Sequence, residues 1–410
     1  MALAHPGWVY AAIWLVILGL FQLHLTVLLK PLSGVALRLV ATSVGVGLLL
    51  SACVYALLPR LKVYSAGREA RELEQLYRWR KWALIVWGIG SALEVVIFRG
   101  VPLIWLLSGD RTRTYATFGI PTVHGFLTAL YFFGVAATAV EIFLQGRRRR
   151  WIGLLALLAW QVLLVNRGGL VWVALQIAGV FLICRRVGLR FAVGIIAWLL
   201  VAIVMFGVIG DVRTGAGTAG LVQSYASPAA GKFASRLPSG FLWVYVYTTT
   251  PLNNIVNGLE NLRPTGTLFF SVQALLPTVI RERVFDRPDL RFPTGLVNPQ
   301  FNTSTWFANF LADFGPLGAV VASALFLLVA LLFYRPARAW RPWAIVGYSA
   351  CFQGIVLSAF ADTFTSLVNV AQLMLAVAMA VMAAIAARGN SADPASEVRG
   401  TATAETEETT

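Results

Sequence analysis

The side chains best suited to chemistry are a few charged and amide residues set at the ends of long apolar stretches. Arg167 stands in Val165-Asn166-Arg167-Gly168-Gly169, between an apolar run of about 15 residues starting at Trp151 and a second one that follows at once. The two glycines permit a tight turn and a close helix approach there. A guanidinium held below a membrane surface wants an anion, and its planar fork of donors matches a phosphate. The bland alternative is snorkelling into lipid headgroups. Arg213, in Gly210-Asp211-Val212-Arg213-Thr214-Gly215, follows the next apolar stretch, and Asp211 is its nearest possible ion partner. Together Arg167 and Arg213 would make a cationic pocket suited to a diphosphate at the head of a lipid carrier. Further on, Asn298-Pro-Gln-Phe-Asn302-Thr-Ser-Thr-Trp306 combines amides, hydroxyls and an aromatic face. Asn302 and Trp306 in that run could hold sugars or simply form an interfacial belt. Asp313, in Ala312-Asp-Phe-Gly-Pro-Leu-Gly318, is either a helix cap or a catalytic carboxylate. Glu94 falls inside an apolar stretch, as a carboxyl hydrogen-bonded between helices or as a site residue. His24 reads as structural.

The elements that must carry these residues follow from composition. The chain has 410 residues, 58% hydrophobic and only 12% charged, about half the charged share of a soluble domain. Stretches near 20 residues without charge match the ~30 Å hydrocarbon core. Lipid offers the backbone no hydrogen-bond partner, so these are helices, and the unbroken runs exclude the alternation of a barrel. The fold expected is an all-α polytopic bundle of about ten spans, near 8–29, 35–58, 82–98, 121–144, 151–165, 168–184, 191–210, 306–333, 343–361 and 364–386, within several residues. The first span lacks a basic leader and reads as retained.

Charge sets the orientation. The net +15 does not point to nucleic acid, because the basic residues sit in short runs between spans. Runs at 60–81, Arg147 to Arg150, Arg185 to Arg190 and Arg335 to Arg341 all fall on one side of a ten-span bundle. Short basic loops stay cytoplasmic, which puts both termini there. The segment 67–77 reads as a short charged surface helix, and 103–107 as a stretch lying on the membrane surface. One outer loop, 211–305, is far longer than the rest. Within it, 241–249 and 268–276 are apolar but too short to span, so they are expected as interfacial or re-entrant helices, and 214–220 as a flexible connector. The tail from 388 has the composition of a disordered segment.

Several constellations are missing. There is no Asp-x-Asp pair for a metal-bound nucleotide, no P-loop and no nucleophile elbow. Only three histidines occur, too few for a histidine-built metal site. The three cysteines, Cys53, Cys184 and Cys351, read as small apolar fillers.

The chain resembles the bacterial O-antigen polymerases of the Wzy type, the oligosaccharide repeat-unit polymerases. The resemblance rests on Gly100-Val-Pro-Leu, then Phe118-Gly-Ile-Pro-Thr-Val-His124-Gly, then Asn166-Arg167-Gly168 between two short spans. Arg213 follows at the head of the long loop, and Asn302-Thr-Ser-Thr and Ala312 to Gly318 lead into the next span. Their order over roughly residues 85 to 385 is the signal, since each motif alone is weak.

The resemblance implies a transmembrane polymerase domain over 1–387 in the bacterial inner membrane, with 211–305 as a periplasmic loop. It implies a glycosyltransferase that moves an undecaprenyl-diphosphate-linked glycan onto a fresh lipid-linked repeat unit. Nucleotide sugar, metal and cofactor are not needed in such families, and a chain-length regulator and a flippase are the partners expected beside the bilayer. Arg167 and Arg213 would bind the donor diphosphate, with Asn166 beside them; His124 or Asp313 would act as base; Tyr247 and Asn253 would touch sugar. Related ligases use a histidine in the large loop, and this loop has none. A glycan ligase, a repeat-unit flippase and a purely structural membrane protein are the alternatives.

Overall fold

A computed structural model of the chain describes residues 2–57, 66–110, 112–185, 224–227, 238–259, 262–286 and 292–391, with Arg236 and a handful of residues between 188 and 220. Twelve α-helices carry the argument: α1 (Pro6–Gln22), α2 (Gly34–Leu57), α3 (Ala66–Ile97), α4 (Pro102–Leu107), α5 (Val123–Phe143), α6 (Arg150–Leu163), α7 (Arg167–Cys184), α8 (Ser239–Leu259), α9 (Thr278–Val284), α10 (Phe307–Arg338), α11 (Pro342–Val356) and α12 (Leu367–Ser391). Among the described residues the only β pairing is an isolated bridge between Thr26 and Ala226. Among the described residues seven stretches are long and apolar enough to cross a membrane: Gly34–Leu57, Ala70–Leu107, Val123–Phe143, Arg167–Cys184, Phe307–Arg338, Pro342–Ala359 and Leu367–Ala386. Helices α1 and α6 are apolar but shorter. The expected span at 191–210 lies mostly outside the described residues, as do Arg213, most of the connector at 214–220 and the tail beyond 391.

The centre of the bundle is α5, whose residues from Tyr131 to Ile142 are all buried. It packs against α3, α7, α12 and α6, and α11 closes the core against α7 and α10. Lipid is as apolar as the side chains facing it, so apolarity alone cannot hold spans together, and polar contacts between them acquire value. Two clusters show this. Gln176 of α7 donates from Nε2 to Gln353 Oε1 of α11 (2.8 Å) and Gln372 Oε1 of α12 (2.9 Å), and accepts from Gln372 Nε2 (3.0 Å). At the end of α5, the buried Glu141 carboxylate meets Arg80 of α3 at 2.8 Å and Arg150 of α6 at 2.7 Å. A carboxylate there is stable only because two guanidinium groups close on it.

The structure corrects several sequence expectations. The charged segment 67–77 is not a separate surface helix but the first third of the 32-residue α3. Its charges do not interrupt the helix, because a helix satisfies its backbone whatever its side chains do. The segment 241–249 is the first part of a longer helix, the 21-residue α8. Apolarity underestimated it because its second half is polar yet buried, with Thr249, Thr250, Asn253 and Asn254 inside. Threonine hydroxyls there return to carbonyls one turn back, Thr249 to Tyr245 and Thr250 to Val246, and Pro251 ends that run. The segment 268–276 forms turns and no helix. Helix α12 runs on to Ser391, past the expected boundary at 387.

Replacing Glu141 by Gln leaves Arg80 facing no anion in a buried position. The expected loss is about 3 kcal/mol, the lower end for breaking a buried pair because Arg150 is partly exposed. It is measured as a fall in the thermal unfolding midpoint in detergent, with Arg80→Gln in the same background restoring part of it.

Candidate functional site

At the end of α5 opposite Glu141, the chain approaches through Phe118-Gly119-Ile120-Pro121-Thr122. Thr122 holds φ +72, a left-handed conformation that a β-branched residue adopts only when its surroundings impose it. Gly119 has φ +98, and a Cβ there would stand 2.5 Å from His124 Cγ and Nδ1. The loop is therefore folded against the imidazole of His124. Glu94 of α3 lies under it, buried, with Oε1 accepting the Ile120 N–H (3.0 Å) and Oε2 facing His124 Nδ1 (2.9 Å). Where Nδ1 carries the proton it donates to this carboxylate, and Nε2 is then the accepting nitrogen of the ring. Phe118 packs edge-on to the same ring, centroids 5.7 Å apart at 90°.

The imidazole opens into a groove of about 610 Å³. Its walls come from α3, α5, α6, the turn at 164–169, α7, the segment 274–282 of the large loop and the start of α12. Aromatic rings line much of it: Trp87 sits 5.3 Å from Tyr131 and 5.7 Å from Trp160, and Trp172 lies 5.8 Å from Phe132. Asn166 and Gly168 form one edge. Asn166 caps α7, its Oδ1 accepting the Gly169 N–H at 2.9 Å, and Val165 before it is forced to φ +54. Arg167 is thereby the first residue of α7, half-buried, at the positive end of that helix. Gly169 leaves the space into which Gln161 reaches, since a Cβ would lie 2.1 Å from Gln161 Oε1. Across the groove the loop contributes Arg281 and Glu282. The Leu367 N–H to Ala274 carbonyl bond (3.0 Å) fastens that segment to α12.

His124 and Asn166 thus line one groove beside Arg167, while the other sequence candidates lie elsewhere. Asp313 is buried and accepts from Thr265 Oγ1 (3.1 Å), Phe270 N (3.0 Å) and Ser271 N (2.7 Å). Its carboxylate holds this loop, and it lies inside α10 rather than at its start and does not line the groove; the helix break follows it, at Gly315 with φ +70. Asn253 donates to the Leu28 carbonyl (2.5 Å) and accepts the Lys30 N–H (2.9 Å), so it ties α8 to the chain between α1 and α2. Trp306 is buried among Tyr10, Phe307, Phe326 and Phe364 and offers no open face. Tyr247 packs on Trp243 and Phe301, away from the groove. Asn302 is exposed, and Arg213 lies outside the described residues. Asp211, read as a possible partner of Arg213, accepts from Ser239 Oγ (2.5 Å) and Trp243 Nε1 (3.3 Å) of α8.

Sequence reasoning left Glu94 between two readings and passed over Gln161 and Arg281. The intramembrane position of Glu94 was the available signal. Nothing in the sequence places Arg281, on α9 and well past the end of α8, in the groove that His124 lines. Among the described residues no group of three or more His, Cys, Asp or Glu side chains converges as metal ligands would.

By its fold the chain falls in the class of α-helical, multi-pass membrane proteins. No protein-family model, no curated protein and no solved structure matches it.

Two substitutions check this geometry. Asn166→Ala removes the cap of α7 and lowers stability by about 1 kcal/mol, while Asn166→Asp retains most of it, read from thermal unfolding. Asp313→Ala releases the loop at 265–271, so chymotrypsin cuts at Phe269 and Phe270 several times faster than in the native protein; an unchanged rate would show that the carboxylate does not hold the loop.

Proposed function

We propose that this protein is a glycosyltransferase that joins lipid-diphosphate-linked oligosaccharide units at the outer face of a bacterial inner membrane. The reading makes it a repeat-unit polymerase of the O-antigen kind, with undecaprenyl diphosphate as leaving group. The observation that carries it is the Glu94–His124 pair opening into a groove edged by Asn166 and Arg281 and bordered by Arg167. Such a transfer needs a base for a hydroxyl and cations for a departing diphosphate, and a long groove with aromatic walls for sugar and lipid faces.

In the proposed step the acceptor hydroxyl oxygen attacks the anomeric carbon of the donor glycan. His124 Nε2 takes the hydroxyl proton as the new C–O bond forms. The bond from the anomeric carbon to the diphosphate breaks, and the diphosphate leaves with the electron pair. Arg167 and Arg281 face that growing charge, the contribution that preorganised groups make best. Glu94 holds the imidazole and offsets the charge His124 acquires. Asp313 has no part in this reading, because it holds the loop at 265–271 and does not line the groove.

The test is reconstitution with synthetic lipid-diphosphate repeat units, without nucleotide or ATP. A ladder of products is expected from the native protein. His124→Ala should slow it by roughly 10²–10⁴-fold, the usual weight of a general base, and Arg167→Ala and Arg281→Ala should each weaken it with the protein still folded. Absence of a ladder from a correctly matched substrate would sink the polymerase reading. Native rates in His124→Ala would remove the base assignment. In cells, loss of a polymerase leaves single lipid-linked units, whereas loss of a ligase leaves long lipid-linked chains.

A further inference from the structure

The groove changes character along its length. Its mouth carries His124, Arg281 and Glu282, and its inner end is aromatic, with Trp87 about two helical turns inward from Glu94 on α3. Between these levels lie two polar side chains that the proposed transfer leaves unused. Gln161 of α6 is 3% exposed and Ser91 of α3 is 5% exposed, and both line the groove. The Gln161 Oε1 is closed off against Gly169, where a Cβ would stand 2.1 Å from it. Nε2 is therefore the end of the amide open to the groove. Tyr131, beside this amide, gives its own proton to the Leu157 carbonyl (2.8 Å) and can accept one amide hydrogen, which leaves the other. Ser91 lies one turn inward from Glu94, and its hydroxyl meets no partner among the described residues.

Helix α7 starts at the same place. Asn166 Oδ1 is taken by the Gly169 N–H, whereas the Gly168 N–H falls in the first turn, where a helix supplies no internal acceptor. Gly168 is exposed and lines the groove. This level thus presents an amide N–H, a hydroxyl and a backbone N–H at the positive end of a helix, with the amide oxygens of Gln161 and Asn166 both occupied elsewhere. An isoprenoid chain seated here would leave all three donors unanswered. A sugar ring needs acceptors for its own hydroxyl hydrogens, and this level is poor in them. An oxyanion only accepts, and the start of a helix favours its charge. Of the nearby acids, Glu282 stands exposed at the mouth and Glu94 is turned to Ile120 and His124.

We infer that this level of the groove binds the diphosphate of an isoprenoid diphosphate through Gln161 Nε2, Ser91 Oγ and the Gly168 N–H, with the isoprenoid directed inward along Trp87, Phe132 and Trp172. The inference rests on the reading of the groove as a lipid-diphosphate site. It adds that buried neutral donors hold the anion together with the arginines, and that they set how deep the carrier sits.

The experiment uses the full-length protein in neutral detergent and titrates farnesyl diphosphate, farnesol and inorganic pyrophosphate by calorimetry. The native protein is expected to bind farnesyl diphosphate at least tenfold more tightly than either other probe. Gln161→Leu and Ser91→Ala should each weaken farnesyl diphosphate by about tenfold, the low end for losing a hydrogen bond to a charged group, and leave farnesol unchanged. Gln161→Glu should weaken it further, because a carboxylate then faces the anion. Ser91→Ala is a small change on α3 and carries the test if the Gln161 variants do not fold. Farnesol binding as well as the diphosphate, or native diphosphate affinity in both Gln161→Leu and Ser91→Ala, overturns the inference. Pyrophosphate binding as well as farnesyl diphosphate overturns the seating of the isoprenoid. A product ladder from a protein whose affinities ignore both substitutions sinks this inference alone, whereas the expected affinities without a ladder sink the polymerase reading and leave the diphosphate site standing.

Discussion

A polar group buried in this bundle gains when another answers it, because the surrounding lipid answers none. That constraint explains why so few charged and amide side chains organise so much of the molecule. Glu141 gathers α3, α5 and α6 at one end. Gln176 joins α7, α11 and α12 in the middle. Glu94 joins α3 to the loop entering α5 at the other end. The helices between these points are nearly interchangeable in apolarity, and their register comes from the polar contacts.

The same constraint turns the large loop into a fixed wall. Its segments are tied down by side chains on helices: Asn254 donates to the carbonyls of Phe301 and Thr303 and accepts from Val297 N–H, and Asp313 takes the backbone of 270 and 271. The chain between α1 and α2 joins through Asn253 and the short pairing of 25–27 with 225–227. A loop with few regular hydrogen bonds of its own is held because helix side chains supply them. This places Arg281 across from His124.

The two ends of the bundle then differ in kind. At the groove the carboxylate orients a histidine and leaves one nitrogen facing open space, an arrangement suited to moving a proton. At the basic end the carboxylate is locked between two arginines, an arrangement suited to holding helices. The same residue type serves both purposes, and the difference is whether its partner has a second functional atom left over.

The apolar runs determined that the chain is helical and where many of its long helices lie, since length against hydrocarbon thickness is a local property of the sequence. The turn at Asn166 to Gly169 was also legible, because glycine and asparagine act on the backbone next to them. The roles of Asp313, Asn253 and Trp306 were not. An aspartate looks the same in a sequence whether its oxygens face a substrate or three loop donors, and which it faces depends on residues more than forty positions away. Helix α8 was underestimated for a related reason: its threonines and asparagines look like surface until the segments they hold are in place. Only the tertiary structure joined Glu94 to His124 and brought Arg281 to the same groove, because the three come from different elements and nothing in their local spacing records the contact.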